Sequence, residues 1–288
     1  MYLRKEEKPK LLLFLIPAII LFVALFLYPL IYVIVMSFYE WDAFTKPVFA
    51  GFQNYVEIFT DRVFKTAIKN NLLWSALDVC VKVPMALMMA LILSRKFLGW
   101  KFFRTVYFLP QVISGVAMAA LWSAVFAMDF GMLNGLLRIF GYEGNNINWL
   151  GNVDTALICV VGYGLLYVGY FMVIMLAEVT GIDHTYYEAA SLDGANALQV
   201  DWNVTIPMIR SSIMTCVTLA AVFGLRAFEQ VYLLTSGGPA NRTMTMVMYL
   251  YKKMGSNVYG EGNAAAVILV LVGITVMVTV RAIFAERD

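Results

Sequence analysis

Few side chains in this 288-residue chain could make or break a bond, and their spacing limits what they can do. The only histidine is His184. It has no cysteine or aspartate partner at ligand spacing, so it is a poor metal site. Cys80, Cys159 and Cys216 are odd in number and lie inside apolar runs. They read as small apolar side chains rather than a disulfide framework or a metal site. No G-x-S-x-G, H-E-x-x-H or G-x-x-x-x-G-K-[ST] occurs, so neither intramembrane enzyme chemistry nor nucleotide binding is supported. What remains is polar chemistry that could hold a solute. Asp78 and Lys82 stand at i, i+4 in an apolar stretch. Either charge alone would cost about 2.5–3.5 kcal/mol at a bilayer centre, so an internal ion pair is expected ahead of solute contact. Tyr163, Tyr167 and Tyr170 recur at i, i+4 and i+7 and form one helical stripe. Tyrosine offers an apolar ring for a sugar face and a hydroxyl for its OH groups. A packing stripe or an interfacial belt explains the same spacing equally well.

These residues need elements to hold them, and composition says of what kind. Hydrophobic residues make up 61% of the chain and charged residues 14%, against about a quarter charged in soluble domains. Lipid is therefore the expected solvent. A net charge of +2 and the lack of a basic stripe argue against a nucleic-acid partner. A bilayer core requires roughly 20 apolar residues in a helix. Six runs qualify, near 11–38, 72–93, 106–126, 155–176, 207–228 and 264–284. The expectation is an all-α, polytopic membrane protein with about six transmembrane helices. It would have a tail at 1–10 and one transmembrane domain over 11–288. Pro17 and Pro29 should bend the first run or mark its ends. Arg4, Lys5, Lys8 and Lys10, and then Arg95, Lys96, Lys101 and Arg104, place both termini in the cytoplasm. The same rule puts the polar segment 178–206 on that side, although Arg62, Lys65, Lys69, Lys252 and Lys253 then lie in outer loops.

Within 178–206 the residues from Tyr186 to Pro207 read YYEAASLDGANALQVDWNVTIP. Glu188, Ala189 and Ala190 favour helix, Asp193-Gly194 breaks it, and Asn196 with Gln199 resembles a capping box opening a second helix. The segment should be a helix-turn-helix with a small-residue side at Ala189 and Ala190. Leu192, Leu198 and Trp202 are apolar residues in need of cover, so docking onto a cytoplasmic partner is a reasonable explanation. Alternatively, Thr185 and Glu188 fit a capping box, in which Glu188 only satisfies backbone donors.

The segment closely resembles the EAA loop of permeases from binding-protein-dependent ABC importers. The matching residues are Glu188, Ala189, Ala190, Asp193, Gly194, Ala195, Ile206 and Pro207. Ile182-Asp183 and Ile206-Pro207 stand where the family usually has Ile-Pro and Leu-Pro. The opening FLIPAIILFVALFLYPLIYVIVMSF, then GFQNYVEIF, RTVYFLP and LLTSGGP, resemble the sugar-importing branch, in particular the larger partner of the maltose type. The resemblance implies a coupling loop in which Glu188, Ala189, Ala190, Asp193 and Gly194 engage an ATPase. It implies a second permease subunit in a heterodimer, two ATPase subunits carrying ATP and magnesium, and an extracellular binding protein that delivers a sugar. No cofactor is expected on this chain. The location would be a bacterial or archaeal cytoplasmic membrane.

By the same resemblance Tyr167 and Tyr170 line the solute path, as does the stretch holding Phe223, Arg226 and Glu229. Arg226 and Glu229, at i, i+3, could instead pair with each other. Gln111 and Ser114 follow Pro110 and could face the same space, or serve as interhelical hydrogen-bonding groups. The spans hold no cluster of basic residues, which favours a neutral oligosaccharide. A stand-alone secondary transporter or channel is the alternative. It predicts an internal repeat or paired broken helices, and neither is clear in the sequence.

Overall fold

The computed structural model describes residues 8–285, with side-chain environments over 15–283. Arg4 and Lys5, and most of the expected tail, lie outside the described residues. Lys8–Phe22 is helical, so the helix includes residues 8–10. Among the described residues the architecture is all-α apart from one hairpin of two two-residue strands. Among the described residues five helices are long and apolar enough to cross a membrane: Leu15–Met36, Arg62–Ser94, Ala156–Gly181, Arg210–Leu234 and Tyr259–Ile283. A bent pair, Trp100–Gln111 and Gly115–Val125, makes a sixth if counted as one broken span.

Two of these runs, and the hairpin between the fourth and fifth, widen into a π-helical turn, each for the same reason. The turns are Val23–Leu27, Asp78–Lys82 and Asp201–Thr205. Each ends two residues before a proline: Pro29, Pro84 and Pro207. Proline has no N–H to donate and its ring crowds the carbonyl four residues back. The helix keeps its bonds by shifting them to i→i−5. Accordingly the N–H groups of Tyr28, Val83 and Ile206 donate to Val23, Asp78 and Asp201 carbonyls.

The described chain divides into two compact units. One holds the residues up to Asp61 and Leu250–Ile268. There the strands Tyr39–Glu40 and Val48–Phe49 pair antiparallel, Tyr39 opposite Phe49. Buried Asn54 fixes the following helix, Gln53–Thr60, by donating to the carbonyls of Ser37 (2.8 Å) and Tyr39 (3.0 Å). Lys253 pairs with Glu261 at 2.6 Å.

The other unit holds Arg62–Tyr249 and the residues from Leu269. Its core places Val83, Ala86, Ala90 and Leu93 against Phe171, Met172, Met175, Cys216 and Ala220. The alanines recur on one helical face, so neighbouring backbones come close, the usual solution where lipid gives no hydrophobic drive between helices. Polar clamps do the rest. The Asn71 amide donates to the Gly224 and Leu225 carbonyls, each at 2.9 Å. Those carbonyls end the helix Arg210–Leu225, where the intrahelical ladder runs out; Gly224 keeps one long bond from the Ala227 N–H at 3.4 Å. Asn71 Oδ1 accepts from the Met246 N–H at 2.7 Å. Asn70 donates to the carbonyls of Arg242 and Met244, and Ser75 to that of Ala221.

Three sequence expectations shift. The second helix begins at Arg62 rather than near residue 72. Asn70 and Asn71 read as loop residues but are buried donors on a helix. The third run is two helices bent by 98° about Val112–Ser114. Pro110 and the extended Ser114 (ψ 137°) end one helix before Gly115 opens the next. The fifth run pauses after Leu225 and resumes over Glu229–Leu234.

Candidate functional site

A cavity of about 780 Å³ opens within the larger unit, walled by the second, bent third, fourth and fifth helices. One wall is aromatic. The Tyr163 and Tyr167 rings meet edge-to-face at 5.5 Å and their hydroxyls hydrogen-bond at 2.8 Å. Tyr170 packs on Phe171 (5.4 Å) and Phe223 (5.9 Å). A second wall is the ion pair Lys82 Nζ–Asp78 Oδ1, 2.6 Å, with both side chains buried. Pairing makes these charges tolerable at membrane depth.

Arg226 and Glu229 also line the cavity. They form no ion pair with each other: Arg226 follows the end of one helix and Glu229 starts the next, so regular i, i+3 geometry is lost. The Glu229 carboxylate lies against Gly115, where any Cβ would collide with it. Gly115 opens a helix, the end whose unpaired N–H groups favour a carboxylate. Gln111 is in the wall but its amide is engaged, donating to the Tyr167 carbonyl at 3.2 Å. That carbonyl is free because the fourth helix breaks between Leu165 and Gly169.

The cavity thus gathers Tyr167, Tyr170, Phe223, Arg226, Glu229 and Gln111. Ser114 is not part of the wall. It is exposed at the N-cap of the helix opened by Gly115 and caps no N–H. Sequence reasoning missed Trp74, which lines the cavity with Asp78 and Lys82. The signal was available: positions 74, 78 and 82 share one helical face.

The second candidate site is the hairpin between the fourth and fifth helices. Its first helix is His184–Leu192 and its second starts at Ala197. The second cap is the expected one: Asn196 Oδ1 accepts from the Gln199 N–H at 3.0 Å, and Gln199 Oε1 accepts from the Asn196 N–H at 2.7 Å. The first cap is Asp183, not Thr185. Asp183 accepts from both the N–H and the hydroxyl of Thr185, and these bonds hold its carboxyl below the usual carboxylate range. Glu188 therefore caps nothing and stands exposed. Ala189, Asp193 and Gly194 are exposed too, and Ala190 is half-buried. Gly194 makes the turn at φ +77°, where L side chains are strained. Leu192, Leu198 and Trp202 project outward, Leu192 at 90% exposure. Such a hairpin presents a short apolar ridge and the acidic side chains of Asp183, Glu188 and Asp193 to whatever lies beyond it.

A polytopic helical bundle with a polar-aromatic cavity and an exposed hairpin between two spans is the build of a transport subunit. Residues 82–287 match the family of binding-protein-dependent transport system inner membrane components, and the chain belongs to that family. It is 31% identical over 265 residues to YurN of Bacillus subtilis, a probable ABC transporter permease protein, covering 90% of each. It is 32% identical over 280 residues to LacF of Rhizobium radiobacter, a lactose transport system permease protein, covering 96% of this chain and 93% of that one. The fold matches a chain of a bacterial ABC transporter that imports the acidic polysaccharide alginate. That match has a TM-score of 0.85 and 24% identity, and covers 99% and 98% of the two chains. Family membership sets aside the stand-alone transporter or channel.

Proposed function

We propose that this chain is one of two permease subunits of an ATP-driven importer for a neutral oligosaccharide. The observation that carries the solute class is the cavity. Its aromatic wall suits sugar rings, and its charges balance: Asp78 offsets Lys82, and Glu229 offsets Arg226. Sugar names among the relatives, such as LacF and the multiple sugar-binding permease MsmF of Streptococcus mutans, support the same class.

In this reading residues 11–288 act as one permease domain behind a cytoplasmic tail at 1–10. The membrane is the cytoplasmic membrane of a bacterium or archaeon, with both termini inside. The hairpin docks on one of two ATPase subunits, which bind ATP and magnesium. Glu188 meets basic groups there, and Leu192, Leu198 and Trp202 fill an apolar cleft. An extracellular binding protein delivers the sugar to Tyr167, Tyr170, Phe223, Arg226 and Glu229. The test is purification with the second permease and the ATPases, then uptake by proteoliposomes with the binding protein present. ATP-dependent uptake of a neutral oligosaccharide is expected. Uptake without ATPases, or of acidic oligosaccharides only, would overturn the assignment.

A further inference from the structure

Nearly all bonds within the hairpin are local. Asp183 caps Thr185, Ser191 bonds to the Tyr187 carbonyl, and Asn196 and Gln199 box each other. Among the described residues, one polar side-chain bond leaves it: the ion pair between Asp201 and Arg95. The two are 106 positions apart in sequence. Arg95 is the C-cap of the helix Val83–Ser94, the end whose carbonyls favour a cation. Asp201 opens the π-helical turn before Pro207. The pair borders a cavity of about 570 Å³ that separates the hairpin from the end of the second helix. Across that gap it is the direct polar link.

What lies at the other end of the second helix gives the link its meaning. Helix Arg62–Ser94 carries Lys82 and Asp78 in the wall of the solute cavity. Farther on, Ser75 and Asn71 grip the carbonyls of Ala221, Gly224 and Leu225 in the fifth helix. A displacement of Asp201 can thus reach the cavity wall along one continuous helix, separately from the covalent path into the fourth and fifth helices. Arg95 is about half exposed, though Asp201 is only 16% exposed, and ion pairs open to solvent on one side contribute little to stability. Anchoring the fold is therefore a poor account of this pair.

We infer that Arg95 and Asp201 are positioning residues that couple the hairpin to the second helix during transport. This rests on the reading of the hairpin as the ATPase-docking element. The experiment uses the reconstituted complex with its partner permease, ATPases and binding protein. It measures sugar taken up per ATP hydrolysed in Arg95→Glu, Asp201→Arg, the double swap and Arg95→Lys. Each single reversal is expected to lower that ratio about fivefold or more, the scale of coupling between distinct sites. The swap and Arg95→Lys should return it to within about twofold of the parent, a rescue that a general loss of structure would not give. Unchanged ratios in the single variants, or a swap no better than either of them, would overturn the proposal. Glu188→Lys separates the two levels. If it couples normally, the docking reading fails; if it uncouples while Arg95→Glu does not, only the lever fails.

Discussion

Gly224 lies against the backbone of Ser75, so closely that a Cβ at position 224 would overlap the Ser75 Cα and nitrogen. The second and fifth helices meet there, one helical turn from the Asp78–Lys82 pair. Backbone has no rotamer with which to yield, so the helices themselves must separate. Overpacking of this kind costs about 1–3 kcal/mol. Gly224→Ala should lower the melting temperature of the purified complex, with Gly135→Ala as a control, since no atom lies near a Cβ there. Equal melting of the two variants would show that this contact is not tight.

Asn71 satisfies three backbone groups at once, two carbonyls and one N–H. Asn71→Leu removes all three bonds, and leaves Gly224 only the long one from the Ala227 N–H. Each buried group left unpaired costs about 1–3 kcal/mol, so poor membrane accumulation is expected. Asn71→Asp keeps the bond to Met246 but sets a carboxylate against the two carbonyls, and should be similarly damaging. Normal accumulation of Asn71→Leu, read by immunoblot of membranes, would contradict this role.

The Asp78–Lys82 pair separates a structural from a solute-binding role. Removing one partner leaves an uncompensated buried charge, at about 3–5 kcal/mol. Asp78→Asn and Lys82→Met should each destabilise the complex more than the double variant does. If the double variant also transports at the parental rate, the pair serves the fold. If it is stable but takes up no sugar, the pair touches the solute.

How much of this was legible beforehand depends on what encodes each feature. The spans were readable because lipid demands long apolar runs. The Asn196–Gln199 box was readable because both halves are three residues apart. Asn70 and Asn71 were not, because their partners at Arg242, Met244, Gly224 and Met246 are more than 150 residues away. The bend at Val112–Ser114 was half visible in Pro110, but nothing local says that helix resumes at Gly115. For Arg226 and Glu229, i, i+3 spacing suggested a mutual pair only if one helix ran through both.

Tyr170 tests the cavity as a solute path. Its ring packs on Phe171 and Phe223 and is 37% exposed. Tyr170→Ala removes an aromatic contact worth about 0.5–1.5 kcal/mol, so the apparent affinity for internalised sugar should weaken roughly 2- to 12-fold. Tyr170→Phe keeps the ring and should lose less. ATP hydrolysis without sugar should stay as in the parent. Equal uptake kinetics for Tyr170→Ala and the parent would place the path elsewhere.

The docking role of the hairpin can be isolated because two of its positions can be changed without striking a neighbouring side chain. Glu188 is exposed and is not a cap. No atom lies within 4 Å of where a Gly194 Cβ would be, so Gly194→Leu meets only the strain of a positive φ, roughly 1–2 kcal/mol. Neither Glu188→Lys nor Gly194→Leu should disturb membrane insertion, yet both should abolish uptake. Glu188→Lys does so by placing a cation before the basic groups proposed for the ATPase, so a carboxylate introduced opposite it on the ATPase should recover transport. Gly194→Leu acts through the angle between the two short helices, and no single change on the ATPase should rescue it. Parental uptake in both variants would mean that the exposed ridge of Leu192, Leu198 and Trp202 faces something other than a motor.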